Sequence, residues 1–148
     1  AIDDKIVDPI MGKAHDLGIP VTMDSDDENC RISKIVVLAE RFPEVMVIVD
    51  MGFRPSAYPP GMPASKEFAE AAQRCPNLYF GITALTASES HHVKSIAAAA
   101  GVTRMIFGSS APYGVPLFAV KGIMRAALGS DAEAFLFGKN LQRLYKLV

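Results

Sequence analysis

The 148-residue chain carries 15 Lys and Arg against 16 Asp and Glu, a net charge of −1, and half of its residues are apolar. That balance gives no basic field for non-specific nucleic-acid binding, and enough apolar matter to bury a core and exclude disorder. The length suits one domain over residues 1–148 and falls short of the roughly 200–250 residues of a closed eight-stranded β/α barrel. No apolar run reaches the ~20 residues of a membrane span. The opening AIDDKIVDP is too acidic for a signal peptide. The expectation is a cytoplasmic protein with neither nucleic-acid nor membrane partners. Cys30 and Cys75 lack CxxC spacing and are expected to be buried free thiols.

In chain order, a helix is predicted over residues 9–17, stopped by Gly18 in the left-handed position and followed by Pro20. The first buried strand is PVTMD, 20–24. After the polar run SDDEN, with Asn29 as N-cap, a second helix spans 31–41 and stops before Pro43. The second strand is VMVIVD, 45–50. A third helix covers 63–74, and the third strand is NLYFGIT, 77–83. The capping box Thr86–Glu89 opens a fourth helix that closes at Gly101, and RMIFGS, 104–109, is the fourth strand. A fifth helix covers 116–128. A sixth opens at the capping box Ser130–Glu133, with Phe137, Leu141, Leu144 and Val148 on one face.

The strand segments are short, nearly continuous apolar runs, the pattern of parallel strands buried on both faces. Their starts are separated by 25, 32 and 27 residues, one βαβ step each. The fold class is therefore α/β with four (βα) units. Two architectures satisfy it: half of a TIM-type β/α barrel, or a small flavodoxin-like doubly wound sheet.

In either, ligands collect at the carboxyl ends of the strands. Asp24, Asp50, Thr83 and the pair Ser109–Ser110 fall there. Two carboxylates at equivalent ends of adjacent strands suit acid–base work or a hard divalent cation. An Asp after a strand also commonly caps the next turn. The acidic run 24–28 fails as an EF-hand, with Asn29 at loop position six and Ile35 at position twelve. Read as a DxD nucleophile motif, Asp24 attacks and Asp26 protonates, but the fourth strand end offers no acidic residue; a solvated acidic loop is the plain alternative. There is no GxxxxGK[ST] or GxGxxG, and neither Ser109 nor Ser110 sits in GxSxG. His91 and His92 are neighbours about 100° apart around a helix, not an i, i+4 metal pair. His15 has no partner pattern.

Taken together, GKAHDLGIPVTMD, LAERFPEVMVIVDMG, CPNLYFGIT, GVTRMIFGSSAPYGVP and FGKNLQRLYKL resemble, in order, the C-terminal half of the amidohydrolase-related family. That family comprises metal-dependent hydrolases and non-oxidative decarboxylases. The resemblance implies a β/α barrel half and a small carboxylated substrate. It places Asp24 and Asp50 where the family carries histidines, the first of them a metal ligand, and Ser110 where its FGSD motif carries an aspartate. The family's opening HxH motif has no counterpart here.

On this reading Asp24, Asp50 and Ser110 are the candidate catalytic residues. Thr83 and Ser109 are candidates for substrate binding, and Asp24 and Asp50 for metal, with zinc or manganese the ion if the chain is active. Tetrahedral zinc needs about three protein ligands, more than these positions supply. The alternative is a non-catalytic half-barrel subunit or scaffold. Open sheet edges lead to a further expectation, pairing as a homodimer or with a complementary half-barrel.

Overall fold

The computed structural model describes residues 1–25, 28–50, 64–83 and 90–147. Four strands, β1 (Val21–Asp24), β2 (Val47–Asp50), β3 (Leu78–Ile82) and β4 (Met105–Phe107), form one sheet in the order β1-β2-β3-β4. All three pairings are parallel. A flavodoxin-like sheet would place the second strand outside the first. The sequential order excludes it and leaves half of a β/α barrel.

The helices are α1 (Asp8–Leu17), α2 (Ile32–Arg41), α3 (Ala64–Arg74), α4 (Ser90–Ala100) and α5 (Pro116–Arg125). At the C-terminus, α6 (Ser130–Ala134), a π-helical turn (Phe135–Lys139) and α7 (Asn140–Leu144) run on without a break. No helix among the described residues is long and apolar enough to cross a membrane.

The sheet has two unlike faces. Val47, Val49, Leu78, Phe80, Ile82 and Met105 point to the helices and build the main core with Met11, Ile35, Leu38, Phe68, Ile96 and Ile123. Ile48 and Ile106 point the other way and pack with Leu144, against which Met46 and Tyr79 lie. Both faces are therefore covered over β2 and β3, as their continuous apolar runs require. The first strand departs from that expectation. β1 alternates, with Met23 buried and Thr22 and Asp24 exposed, because it is an edge strand with one face open.

Polar side chains lock the strand starts to the helix ends. Asn77, just before β3, donates through Nδ2 to the carbonyls of Ala39, Phe42 and Val45 at 2.9–3.1 Å. Arg104, just before β4, donates to Ala100, Cys75 and Ala72 carbonyls at 2.9, 3.1 and 3.0 Å. The last carbonyls of a helix have no partner further along it, so one long donor side chain can satisfy several at once; the Phe42 and Cys75 carbonyls accept in addition from the Val45 and Leu78 N–H groups, at 3.0 and 3.2 Å.

Element ends differ from expectation in several places. Gly18 takes φ 61° after α1, as a left-handed stop should. Asn29, however, lies inside a 3-10 turn (Glu28–Cys30), and Arg31 stands at the N-cap of α2. α5 ends at Arg125 rather than residue 128, because Ala126 and Ala127 turn back onto Ile123 and Met124. α6 starts at Ser130 with Gly129 at the N-cap, so the proposed Ser130 cap is already helical. The π turn inserts an extra residue, so Leu136, Asn140 and Leu144 form the buried row, while Phe137 and Leu141 stay 37% and 38% exposed. Cys75 is buried as expected, and Cys30 is only half-buried. The expected Pro63, Thr86–Glu89 cap and Val148 lie outside the described residues, as does Asp26 of the DxD reading.

Candidate functional site

Register decides which strand-end residues meet. Asp24 pairs with Asp50, and Asp50 with Gly81, while Gly81 pairs with Ile106. In-register residues of parallel strands share a face, with neighbouring strands about 4.8 Å apart. Asp24, Asp50, Gly81 and Ile106 therefore form one row across the face opposite the main core. Gly81 leaves the position beside Asp50 without a side chain. A Cβ there would sit 3.5 Å from the Asp50 Cα and 3.4 Å from the Val49 carbonyl oxygen.

The next row holds Thr83 and Gly108. The Gly108 N–H donates to the Ile82 carbonyl at 3.0 Å, which continues the ladder past β4. Thr83 is drawn so close that a Cβ on Gly108 would fall 2.3 Å from its Cγ2. From this position the Thr83 hydroxyl donates a hydrogen bond to the Asp50 carboxylate. Ser25 completes the arrangement from below. It is 5% exposed, and both its N–H and its hydroxyl donate to the Asp50 carbonyl, at 3.2 and 2.9 Å.

The structure thus brings Asp24, Asp50 and Thr83 together. Ser109 and Ser110 are half-buried in the turn that follows β4, where the Gly114 N–H donates to the Ser110 carbonyl at 2.8 Å. Ser110 takes φ 53° there. No hydrogen bond among the described residues joins either serine to the carboxylates. His91 and His92 stack in the first turn of α4, ring centroids 4.0 Å apart, and His15 faces Asp16 on the surface of α1. Ser25, Gly81 and Gly108 carry no signal in the sequence. Ser25 sits inside an acidic run that reads as solvated, and the glycines act by what they lack.

Burial raises the Asp50 carboxyl above its ordinary value near 3.8; the Thr83 hydrogen bond pulls it back, and the Asp24 charge pushes it further up. A carboxyl raised this way gives and takes a proton at a higher pH than an ordinary aspartate does. The sign for folding follows. Protonated Asp50 favours the native state, so its contribution is full below the unfolded value and is lost as pH rises through the folded one.

The pattern of the family described as Amidohydrolase matches residues 1–147. The chain belongs to that family. A comparison with curated proteins finds no match. Among solved structures, an uncharacterized TIM-barrel protein from Bordetella bronchiseptica is 24% identical with a TM-score of 0.72, covering 98% of this chain and 52% of its own. A zinc-bound amidohydrolase from Burkholderia multivorans is 17% identical with a TM-score of 0.69, over 99% and 59%. The 5-carboxyvanillate decarboxylase of Sphingomonas paucimobilis is 14% identical with a TM-score of 0.68, over 99% and 55%. This amidohydrolase-family chain therefore spans between half and three-fifths of the barrels it resembles.

The family's metal can be tested against the side chains in place. Asp24 and Asp50 offer carboxylate oxygens, and no group of three His, Cys, Asp or Glu converges among the described residues. That donor set does not fit tetrahedral zinc, which favours imidazole and needs about three protein ligands. Two carboxylates suit a harder ion whose remaining donors come from elsewhere.

Proposed function

We propose that this amidohydrolase-family chain carries part of the active site of a hydrolase or non-oxidative decarboxylase acting on a small carboxylated substrate. The reacting group lies at the carboxyl ends of β1–β4. The observation that carries this reading is the row formed by Asp24 and Asp50, with the Thr83 hydroxyl on the Asp50 carboxylate. Asp50 moves the proton, since burial raises its carboxyl above the ordinary aspartate value and the strand end presents it beside Asp24. Asp24 holds the neighbouring negative charge, and Thr83 fixes the Asp50 carboxylate in place. The substrate carboxylate lies away from the aspartates, toward the Ser109–Ser110 turn, since like charges repel. The dihydroxybenzoate and carboxyvanillate decarboxylases share this fold, which agrees with such a substrate class.

A second reading, a scaffold without catalysis, draws on the replacement of the histidines and aspartate that the family resemblance places at Asp24, Asp50 and Ser110. Calorimetric titration with Mn²⁺ and Zn²⁺ separates the two. The proposal expects weak Mn²⁺ binding that Asp24→Asn and Asp50→Asn each abolish. It also expects the triple variant Asp24→His, Asp50→His, Ser110→Asp to gain zinc affinity by about tenfold or more. Absence of Mn²⁺ binding, with no zinc gain in a folded triple variant, leaves the scaffold.

A further inference from the structure

Gly108 extends the ladder beyond β4, its N–H donating to the Ile82 carbonyl at 3.0 Å. Its backbone does not call for glycine, since the left-handed glycines among the described residues are Gly18, Gly101 and Gly129. What position 108 cannot hold is a side chain. An added Cβ would fall inside 3.0 Å of the Thr83 methyl, yet it would lie 3.4 Å from the Thr83 Cβ and 3.7 Å from the Thr83 Cα. The methyl alone stands in the way. Gly81 differs, because a Cβ there meets nothing nearer than 3.4 Å.

Thr83 carries its methyl and its hydroxyl on one carbon, so a single torsion, χ1, places both. With the methyl in the space beside Gly108, the hydroxyl donates to the Asp50 carboxylate. Any rotation that clears the methyl from that space moves it to another staggered well, roughly 120° away, and swings the hydroxyl off Asp50. The ladder bond to Ile82 opposes a parting of the strands that would make room instead.

We propose that Gly108 is a positioning residue for Asp50 and acts through the Thr83 methyl. The missing side chain leaves a slot that seats this methyl, and the seated methyl aims the hydroxyl at the carboxylate. The residue after β4 thereby reaches the carboxylate at the end of β2 by way of the residue after β3. A carboxylate that moves a proton needs a fixed orientation toward its partner, so the consequence for chemistry rests on the reading of Asp50 given above. The Thr83 rotamer is read without metal or substrate, so the slot and that reading can fail separately.

The test moves the methyl from one residue to the other. NMR of the full chain reads the Thr83 χ1 from three-bond couplings of its methyl carbon to the backbone nitrogen and carbonyl carbon. The Asp50 carboxyl-carbon shift at fixed pH reads whether a hydroxyl is on the carboxylate, with Thr83→Val as the reference for its loss. In Gly108→Ala the couplings should report a different staggered well, and the Asp50 shift should move to the Thr83→Val position. The double variant Gly108→Ala, Thr83→Ser carries the methyl at position 108 and keeps the hydroxyl, so it should recover the native Asp50 shift and the native urea midpoint. Native Thr83 couplings in folded Gly108→Ala overturn the proposal, as does a double variant that keeps the Thr83→Val shift. A double variant that does not fold also overturns it, because the backbone and not the methyl would then exclude the Cβ. Should Gly108→Ala alone fail to fold, the double variant decides by the same criteria.

Discussion

Phe80→Ala is expected to lower the unfolding free energy by about 4 kcal/mol, near the upper end of what a single core truncation costs. Phe80 is fully buried at the middle of β3, between β2 and β4. Its ring meets Phe68 of α3 edge-on, with centroids 6.2 Å apart and planes at 77°. Truncation removes most of a ring's burial, leaves a cavity between sheet and helix, and ends a favourable aromatic pair. Against a total stability of about 5–15 kcal/mol for a domain, the variant should unfold at far lower urea with an unchanged slope. A loss under about 1 kcal/mol would mean that the helix-side core is not centred on β3.

Asn140→Ala is expected to lower stability by about 3 kcal/mol, although it removes no apolar contact area of note. The Asn140 amide is fully buried and donates to the carbonyls of Val102 and Met105 at 2.6 Å each. Alanine leaves both carbonyls buried and without those donors, and releases α7 from the base of β4. Asn140→Asp should be at least as damaging, since a carboxylate presents acceptors to acceptors. Leu141→Ala, one residue further on and 38% exposed, serves as the contrast and should have about a third of that effect. Equal losses at Asn140 and Leu141 in urea titrations would contradict the buried row that the π turn creates.

The strands are legible in the sequence because VTM, VIV, LYF and MIF are apolar runs at βαβ spacing. Their order is not, since periodicity is the same in a doubly wound sheet and in a half-barrel. Only the resemblance of the joined motifs favours the second, and the sheet order agrees. The meeting of Asp24 with Asp50 can be read from two runs that each end in aspartate. Thr83 falls at the same end, but its bond to Asp50 has no mark in the sequence. Ser25 escapes notice because a buried serine inside DSDDE has no sequence signature. Gly81 and Gly108 matter through missing Cβ atoms, which only coordinates reveal. Asn140 stands in an apolar helix pattern whose phase assumes 3.6 residues per turn throughout. The π turn shifts that phase and brings the amide inward.

At the sheet's carboxyl end, Asp24, Asp50 and Thr83 should behave as one coupled group. The most direct measurement of that coupling is the pH titration of the Asp50 side-chain carboxyl carbon by NMR, in the native chain and in Asp24→Asn and Thr83→Val. Asp50 should titrate above the ordinary aspartate value of 3.8. Its titration should shift down when Asp24 loses its charge and up when Thr83 loses its hydroxyl. An Asp50 that titrates at the ordinary value, or that ignores both substitutions in folded protein, would contradict the site.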